Sequence, residues 1–595
     1  MREQSYGAQT VGNELRAAFR HSAGALLGVG IFSGVVNVLG LTGSLYMLQV
    51  YDRVLPSKSV PTLVGITIIM VWLYAAYGLL DFVRMRLLVR IGNALDRKLH
   101  EKVFAASLLL PLRAGREGSH VQPIRDLDQI RSFVSGTGPT AFFDLPWLPF
   151  YLVIIYMLHP SLGILATVGA VVSVLLTLAA EGLGRAPSKR ATQSVTLRNS
   201  YADAGRRNAE VIRAMGLSTR FGHLWSEQSR RFLGDQRRIS DVVGAAGTLS
   251  RMLRMMLQSL MLGLGAYLVM SGEASSGIMI ASSIMLARSL APVDIAIANW
   301  RGFMSARQSY AQLSKTLTAF ADRHQPMALP RPKQCLSVES LTVAAPGQQK
   351  ALINNVTFTL QAGAGLGVIG PSASGKSTLS RALVGAWPAL RGTVRLDHAA
   401  LEQWDVEALG RDIGYLPQDI ELFDGTVAEN ISRFDPEAKG QNILAAAQAA
   451  GVDQMILRLP DGFQTRVGDG GAALSAGQRQ LVGLARALYG DPFLVVLDEP
   501  NSNLDTDGDL SLAKAIQGVR QRGGIVVVVA HRPSGLANVD QVLVMGGGTM
   551  RAFGPKNEVL ANMTRPAAQA HAQPAAHAAS GPTSTVVSMY DRKGS

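Results

Sequence analysis

The 595-residue chain has a single cysteine, Cys335. One thiol excludes a disulfide within the chain and any cysteine-based metal site. A reactive thiol needs an electropositive, partly exposed setting. Cys335 instead closes the Pro/Lys-rich stretch Pro330-Arg-Pro-Lys-Gln-Cys335 and reads as an ordinary free thiol in a linker. Charge is scarce too, at 17% of residues against 48% hydrophobic. That balance suggests a chain partly embedded in membrane. Acidic residues are the scarcer sign, 43 against 57 Lys and Arg, which leaves a formal charge of +14. Such an excess can mark a nucleic-acid binder, but the chain lacks a zinc finger, an RRM or any comparable signature. Its surplus falls largely in two Arg-rich stretches between apolar segments, so the expected partner is the lipid bilayer and not nucleic acid. A cleavable signal is also missing. Arg16, Arg20 and His21 precede an apolar run longer than a signal-peptide core, with no small-residue cleavage site at a sensible distance.

What is present divides into an apolar half and a soluble half. A bilayer span needs about 20 mostly apolar residues. Six segments meet that length, near 23–50, 60–82, 138–158, 161–183, 246–270 and 275–298. The fifth is the weakest, because Arg251 and Arg254 sit near its start. Connections at 51–59, 159–160 and 271–274 are short. Those at about 84–137 and 185–240 are long, expected to be helical, and dense in basic residues such as Arg84, Arg86, Arg90, Arg97, Lys98, Arg206, Arg207, Arg230, Arg231, Arg237 and Arg238. The positive-inside rule places these connections and both termini in the cytoplasm. Arg288 lies well inside the sixth segment, where a charge is costly and should face a polar cavity or a partner. It is either part of the wall of a translocation path, or a snorkelling or structurally paired residue, with Asp294 or another segment as its partner.

From about Gln334 short apolar runs alternate with helical stretches, the pattern of an α/β domain. Gly370-Pro-Ser-Ala-Ser-Gly-Lys-Ser377 matches G-x-x-x-x-G-K-[ST], the P-loop. It follows an apolar run, Ala364 to Ile369, that reads as a strand. It precedes Thr378-Leu-Ser-Arg-Ala-Leu-Val, which reads as a helix. Backbone N–H groups of Gly370, Pro371, Ser372, Ala373, Ser374 and Gly375 (Pro371 excepted), with the helix N-terminus at Lys376, Ser377 and Thr378, would cradle phosphates. Lys376 adds a charge for the outer phosphates, and Ser377 offers a hydroxyl to Mg²⁺. The expected ligands are therefore ATP and Mg²⁺. Phe493-Leu-Val-Val-Leu-Asp-Glu499 reads as a buried strand ending in two carboxylates. Asp498 can hold Mg²⁺ through water, and Glu499 is placed to act as general base toward an attacking water.

Leu474-Ser-Ala-Gly-Gln478 opens a helix and resembles the signature of ABC ATPases, usually Leu-Ser-Gly-Gly-Gln, with Ala476 as a departure. Other elements fall in that family's order. Gln418, in Tyr415-Leu-Pro-Gln418, resembles the Q-loop that senses Mg²⁺ and touches the membrane domain. Ser502-Asn-Leu-Asp505 resembles the D-loop. His531, after the apolar run Ile525 to Ala530, resembles the switch histidine that contacts the γ-phosphate. The family's usual adenine-stacking aromatic is replaced by Ala345. The resemblance implies an ATP hydrolase with Glu499, His531, Gln418 and Lys376 as catalytic residues. Ser377, Gln418 and Asp498 would surround Mg²⁺, and Asp505 would lie at the nucleotide. It further implies that Ser475, Gly477 and Gln478 act on ATP held by a second chain, so six spans and one motor make half of a homodimer.

A membrane domain followed by one such ATPase resembles the type I ABC exporter fold: a six-helix membrane domain with a C-terminal α/β P-loop ATPase domain. Tyr46-Met-Leu-Gln-Val-Tyr-Asp-Arg-Val-Leu-Pro56, Phe143-Asp-Leu-Pro-Trp147, Ala291-Pro-Val-Asp-Ile-Ala-Ile-Ala-Asn-Trp300 and Glu499-Pro-Asn-Ser-Asn-Leu-Asp505 resemble the type I secretion group, nearest its protease/lipase-exporting, repeats-in-toxin branch. That resemblance implies a Gram-negative inner-membrane exporter of unfolded polypeptides carrying a C-terminal secretion signal, working with a periplasmic adaptor and an outer-membrane channel. A lipid, drug or peptide exporter, or a non-transporting membrane ATPase, would share the same engine. Some relatives carry an N-terminal peptidase-like domain. With about 22 residues before the first span, no such domain and no leader cleavage are expected here. The expected organisation is a cytoplasmic segment at 1–22, a membrane domain at 23–320, a linker at 321–334, an ATPase domain at 335–563 and a disordered Ala/His/Pro-rich tail at 564–595.

Overall fold

Backbone in lipid must satisfy its hydrogen bonds within its own segment, which makes long apolar stretches helical. The computed structural model describes residues 22–118, 121–319, 329–530 and 533–564, with Ala17 and Arg20. The tail beyond 564 lies outside the described residues. Among the described residues six helices are long and apolar enough to cross a membrane: Ala23–Ser57, Val60–Gly115, Gly138–Leu158, Pro160–Arg207, Ser218–Met270 and Ser276–Ala319. Each coincides with one expected span. The first is broken after Leu39 and contains a π-helical turn at Val50–Val54 before its last segment, Leu55–Ser57. The long basic connections are mostly helical extensions of the spans, joined by the short helices Pro123–Val134 and Ala209–Ala214. Pro160–Arg207 runs 48 residues and Ser218–Met270 runs 53, far beyond the 20 or so that a bilayer requires.

Helix packing in this unit is apolar with polar fasteners. Tyr151, Ile155, Leu162, Ala166, Leu257, Met261, Met285 and Leu286 form a buried core shared by the third to sixth spans. A smaller core, Leu95, Leu99, Val103, Leu127, Ile130 and Leu313, joins the helical extensions. The motif residue Asp144 lies at the centre of a buried polar cluster. Arg84 Nη1 donates to both of its oxygens at 2.9 and 3.0 Å and to Ser33 Oγ at 3.0 Å. Arg84 Nη2 donates to Asp81 at 2.6 Å. Asn37 Nδ2 donates to Asp144 Oδ1 at 2.8 Å, and the Tyr151 hydroxyl donates to the Asn37 carbonyl at 2.7 Å. The first three spans are thereby fastened by a neutralised charge. A second fastener joins the fifth and sixth spans, where Asp294 accepts from Arg254 Nη1 at 2.5 Å and from Ser250 Oγ at 2.8 Å. Asp294 is thus the partner of Arg254, not of Arg288. This also accounts for a charge that made the fifth span look weak. Asp52, from the π-helical turn, accepts from Ser275 Oγ at 2.6 Å and from the Gly277 N–H at 2.8 Å, capping the sixth helix.

A four-stranded antiparallel sheet has the order β2-β1-β4-β5, with β1 Cys335–Ala344, β2 Ala351–Gln361, β4 Arg391–Leu396 and β5 Ala399–Ala400. A six-stranded sheet has the order β10-β9-β3-β8-β7-β6, with β3 Gly365–Ile369, β6 Ile413–Leu416, β7 Leu494–Asp498, β8 Ile525–Val529, β9 Gln541–Gly546 and β10 Thr549–Pro555. The β9–β10 pair is antiparallel, and β9, β3, β8, β7 and β6 run parallel. Every residue of β7 and β8 is buried, as the covered faces of a parallel sheet require. Cys335 begins β1 and is buried, so it belongs to the sheet and not to the linker, and burial pushes its thiol up.

Candidate nucleotide site

In an open parallel sheet the loops leaving the carboxyl ends of the strands build the site. The chain leaves β3 at Gly370 with φ +151°. A Cβ there would stand 2.2 Å from the Met545 carbonyl oxygen, so only glycine fits. The loop passes through Ala373 in the left-handed region at φ +62° and enters the helix Lys376–Leu383 through Gly375 at φ +98°. Turning of this kind aligns successive N–H groups into an anion-binding concavity. Pro371, Ser372 and Ala373 are exposed on the loop crest, while Ser374, Lys376 and Thr378 are buried beneath it. Ser374 Oγ is buried without a hydrogen-bond partner. Lys376 Nζ donates to the carbonyls of Gly370 and Pro371 at 2.9 Å each. Burial holds its pKa below the usual lysine range, against the opposing pull of Glu499 and Asp498.

The two carboxylates arrive from β7, separated from β3 by β8 alone. Asp498 is 1% exposed. Its Oδ1 accepts from Ser377 Oγ at 3.3 Å, and its Oδ2 has no hydrogen-bond partner. Burial raises its pKa first, and Glu499 adds to that, against the Ser377 hydrogen bond and the charges of Arg381 and Lys376. A buried carboxylate with a bare oxygen beside a P-loop hydroxyl suits a hard divalent cation, which takes oxygen ligands. Ser377 and Asp498 therefore fit Mg²⁺. Glu499, half-buried, turns out of the strand at φ +52°, a conformation rare outside glycine and concentrated at functional sites. Its N–H donates to the Val529 carbonyl at 3.1 Å.

Sequence reasoning missed what holds that turn. Gln480, 1% exposed, lies on the signature helix Ala476–Leu488. Its amide donates to the Glu499 carbonyl at 3.4 Å and to the Pro500 carbonyl, and its oxygen accepts from the Asn503 N–H at 3.1 Å. The available signal was a polar residue on the face that also carries Gly483, Leu484 and Ala487. Ser475 caps the helix, accepting from the Gln478 N–H at 3.2 Å while Gln478 Oε1 accepts from the Ser475 N–H at 2.9 Å. Both side chains are thereby used in the cap. Gly477 approaches the Asn503 carbonyl so closely that a Cβ would stand 2.9 Å from it. Asp505 also serves as a cap, with Oδ1 accepting from the Gly508 N–H at 2.9 Å. Gln418 is exposed two residues beyond β6, the strand beside β7. His531 lies outside the described residues, just past the end of β8. Ala345 is half-buried after β1, and its carbonyl accepts from the Gln348 N–H at 2.9 Å in a turn. Thus the P-loop, Asp498 and Glu499 converge, and the signature helix joins them through Gln480.

Lys376→Ala should weaken ATP binding about ten- to a hundredfold, the worth of a charged hydrogen bond. Titration with a fluorescent nucleotide checks this, and unchanged affinity would remove Lys376 from the site.

Two family models match the chain. The one described as the ABC transporter transmembrane region covers residues 26–290, and the one described as ABC transporter covers residues 353–502. The type I secretion system ATP-binding protein PrsD of Rhizobium meliloti (strain 1021) is 53% identical over 550 residues, covering 92% of this chain and 94% of that protein. The leukotoxin translocation ATP-binding protein LktB of Mannheimia haemolytica is 28% identical over 538 residues, covering 89% of this chain and 76% of that protein. A bacterial Atm1-family ABC exporter solved with ATP bound has a TM-score of 0.78 at 19% identity, covering 91% of this chain and 96% of its own, a likeness of fold.

Proposed function

The chain belongs to the ABC transporter family and to its type I secretion ATP-binding proteins, and from that premise we propose that it drives export of unfolded polypeptides bearing a C-terminal secretion signal across a Gram-negative inner membrane. The observation that carries this is the 53% identity extending over both the membrane and the ATPase halves. An isolated P-loop match would have identified only the motor.

The motor residues then divide the work. The P-loop N–H groups and Lys376 hold the phosphates. Glu499 takes the proton of the water whose oxygen attacks the γ-phosphorus, and the β–γ bridging bond breaks to leave ADP and phosphate. Ser377 and Asp498, with Gln418 as the further candidate ligand, would hold Mg²⁺, which would supply positive charge against the phosphates. The family resemblance assigns His531 to the γ-phosphate. Thr378 lies at the loop's helix end, and Asp505 sets the loop that follows Glu499. Ser475, Gly477 and Gln478 complete the site of a second copy, which makes the working unit a homodimer. Motor closure on ATP rocks the membrane halves. A periplasmic adaptor and an outer-membrane channel complete the route.

The test is ATPase activity of the full chain in nanodiscs. A peptide copying the C-terminal signal of an exported protease or lipase should stimulate turnover, and its scrambled version should not. Stimulation by lipids or drugs with no response to any such peptide would assign the engine to another cargo.

A further inference from the structure

Three arginines of the membrane unit, Arg84, Arg254 and Arg288, have surroundings that differ in one respect. Arg84 is bound by Asp144 and Asp81, and Arg254 by Asp294. Arg288 is half-buried, and among the described residues no carboxylate lies within the 4.0 Å of an ion pair. Its guanidinium stands 5.9 Å from the centre of the Tyr77 ring, on the second span. Tyr151, on the third span, also lies within its electrostatic reach. A cation met by tyrosines and no carboxylate in a low-dielectric region keeps part of its desolvation cost unmatched.

The backbone at the same place is also incomplete. Pro292 lies inside the continuous helix Ser276–Ala319. Proline has no N–H, so the Arg288 carbonyl, four residues earlier, lacks its helical donor. One turn of the sixth span therefore offers both a cation and a carbonyl without its usual partner. Arg288 stands twelve residues beyond Ser276, about 18 Å along the helix. With Ser276 at its edge, that depth lies inside a hydrocarbon layer about 30 Å thick. Hydrocarbon tails offer nothing to either group.

We propose that Arg288 and Tyr77 form a binding site for the side-chain carboxylates of a polypeptide in transit, with the Arg288 carbonyl accepting from that polypeptide's backbone N–H. The ligand class is an acidic extended peptide, which carries both groups at once. The inference rests on the export reading above and assigns that path a charge preference. The neutralised Arg84 and Arg254 clusters act as fasteners, and Arg288 acts as the contact.

The experiment uses the full chain in nanodiscs and two probes, a flexible Gly/Ser-rich peptide bearing aspartates and the same peptide with asparagine in each place. ATPase stimulation is measured against peptide concentration for the native chain, Arg288→Gln and Arg288→Lys. The native chain should respond at about tenfold lower concentration of the acidic probe, the value of one charge-assisted contact. Arg288→Gln should erase that preference, and Arg288→Lys should keep most of it. The ratio between probes is read within each variant, so a general loss of folding does not imitate the effect. If both probes stimulate but the preference survives in Arg288→Gln, or the native chain shows none, the Arg288 site is overturned while export stands. If neither probe nor any secretion-signal peptide stimulates the native chain, the export reading fails and this site fails with it.

Discussion

Glu499→Gln binds ATP with near-native affinity and loses about 10²- to 10⁴-fold in turnover, the contribution of a positioned general base. The structure gives the reason for separating the two quantities. Phosphate binding rests on the P-loop backbone and Lys376, whose Nζ and loop carbonyls lie on the β3 side of the site. Glu499 comes from β7 and is held through its backbone, by Val529 on one side and Gln480 on the other. Glutamine keeps the size and the main-chain bonds but cannot take a proton from water. Single-turnover and steady-state hydrolysis, with nucleotide binding measured on the same preparation, check the separation. Turnover close to native would remove Glu499 from the base role. Gln480→Leu should give a milder version of the same loss, because it frees the turn that aims Glu499 while leaving the carboxylate in place.

Asp144→Ala should cost the membrane unit about 3–5 kcal/mol, the usual price of stranding one member of a buried ion pair. Arg84 is 8% and Asp144 11% exposed at their side chains. Solvent screening is therefore slight, and the value carries no discount of the kind exposed pairs require. Removing Asp144 leaves the Arg84 guanidinium with Asp81 as its one carboxylate, beside Ser33 Oγ, and leaves the Asn37 amide with the Ser33 carbonyl. Unfolding in mild detergent, followed by tryptophan fluorescence, should show the loss as a lower transition midpoint. The double variant Arg84→Met with Asp144→Leu should recover much of it, since replacing a whole buried pair with packed apolar groups is far cheaper than halving it. A midpoint equal to native for Asp144→Ala would show that the cluster fastens nothing.

These two sites differ in how readable they were. The ATPase motifs tie residue type to short spacing, and short spacing fixes local geometry. The strand before the P-loop was read as Ala364 to Ile369 and is Gly365–Ile369, and the acidic strand read from Phe493 is Leu494–Asp498. The six spans were equally plain, because length and hydropathy are all that a bilayer demands. What escaped was pairing over distance. Arg84 and Asp144 are 60 residues apart, and Arg254 and Asp294 are 40 apart on different helices. Hydrophobic periodicity says which face of a helix is buried but not which neighbour it meets or in what register. The Phe143-Asp144-Leu-Pro-Trp147 stretch was therefore visible as a family feature while its physical role, an anchor for Arg84, was not. Gln480 was hidden for a related reason. The cap and the motif spacing point to Ser475 and Gln478, whereas Gln480 on the inner face makes the bonds to the Glu499 turn. Asp505, read as a nucleotide contact, also has a local duty as a helix cap, which a linear motif cannot distinguish from a ligand role.

The central claim is that hydrolysis at the Asp498–Glu499 site powers polypeptide export through the membrane unit. It is tested most directly by secretion of a tagged polypeptide carrying a C-terminal signal, from cells that supply the adaptor and the outer-membrane channel, with the native chain or Glu499→Gln at matched abundance. The account predicts tagged polypeptide in the medium with the native chain and retention inside the cell with Glu499→Gln. Equal export by both chains would contradict it.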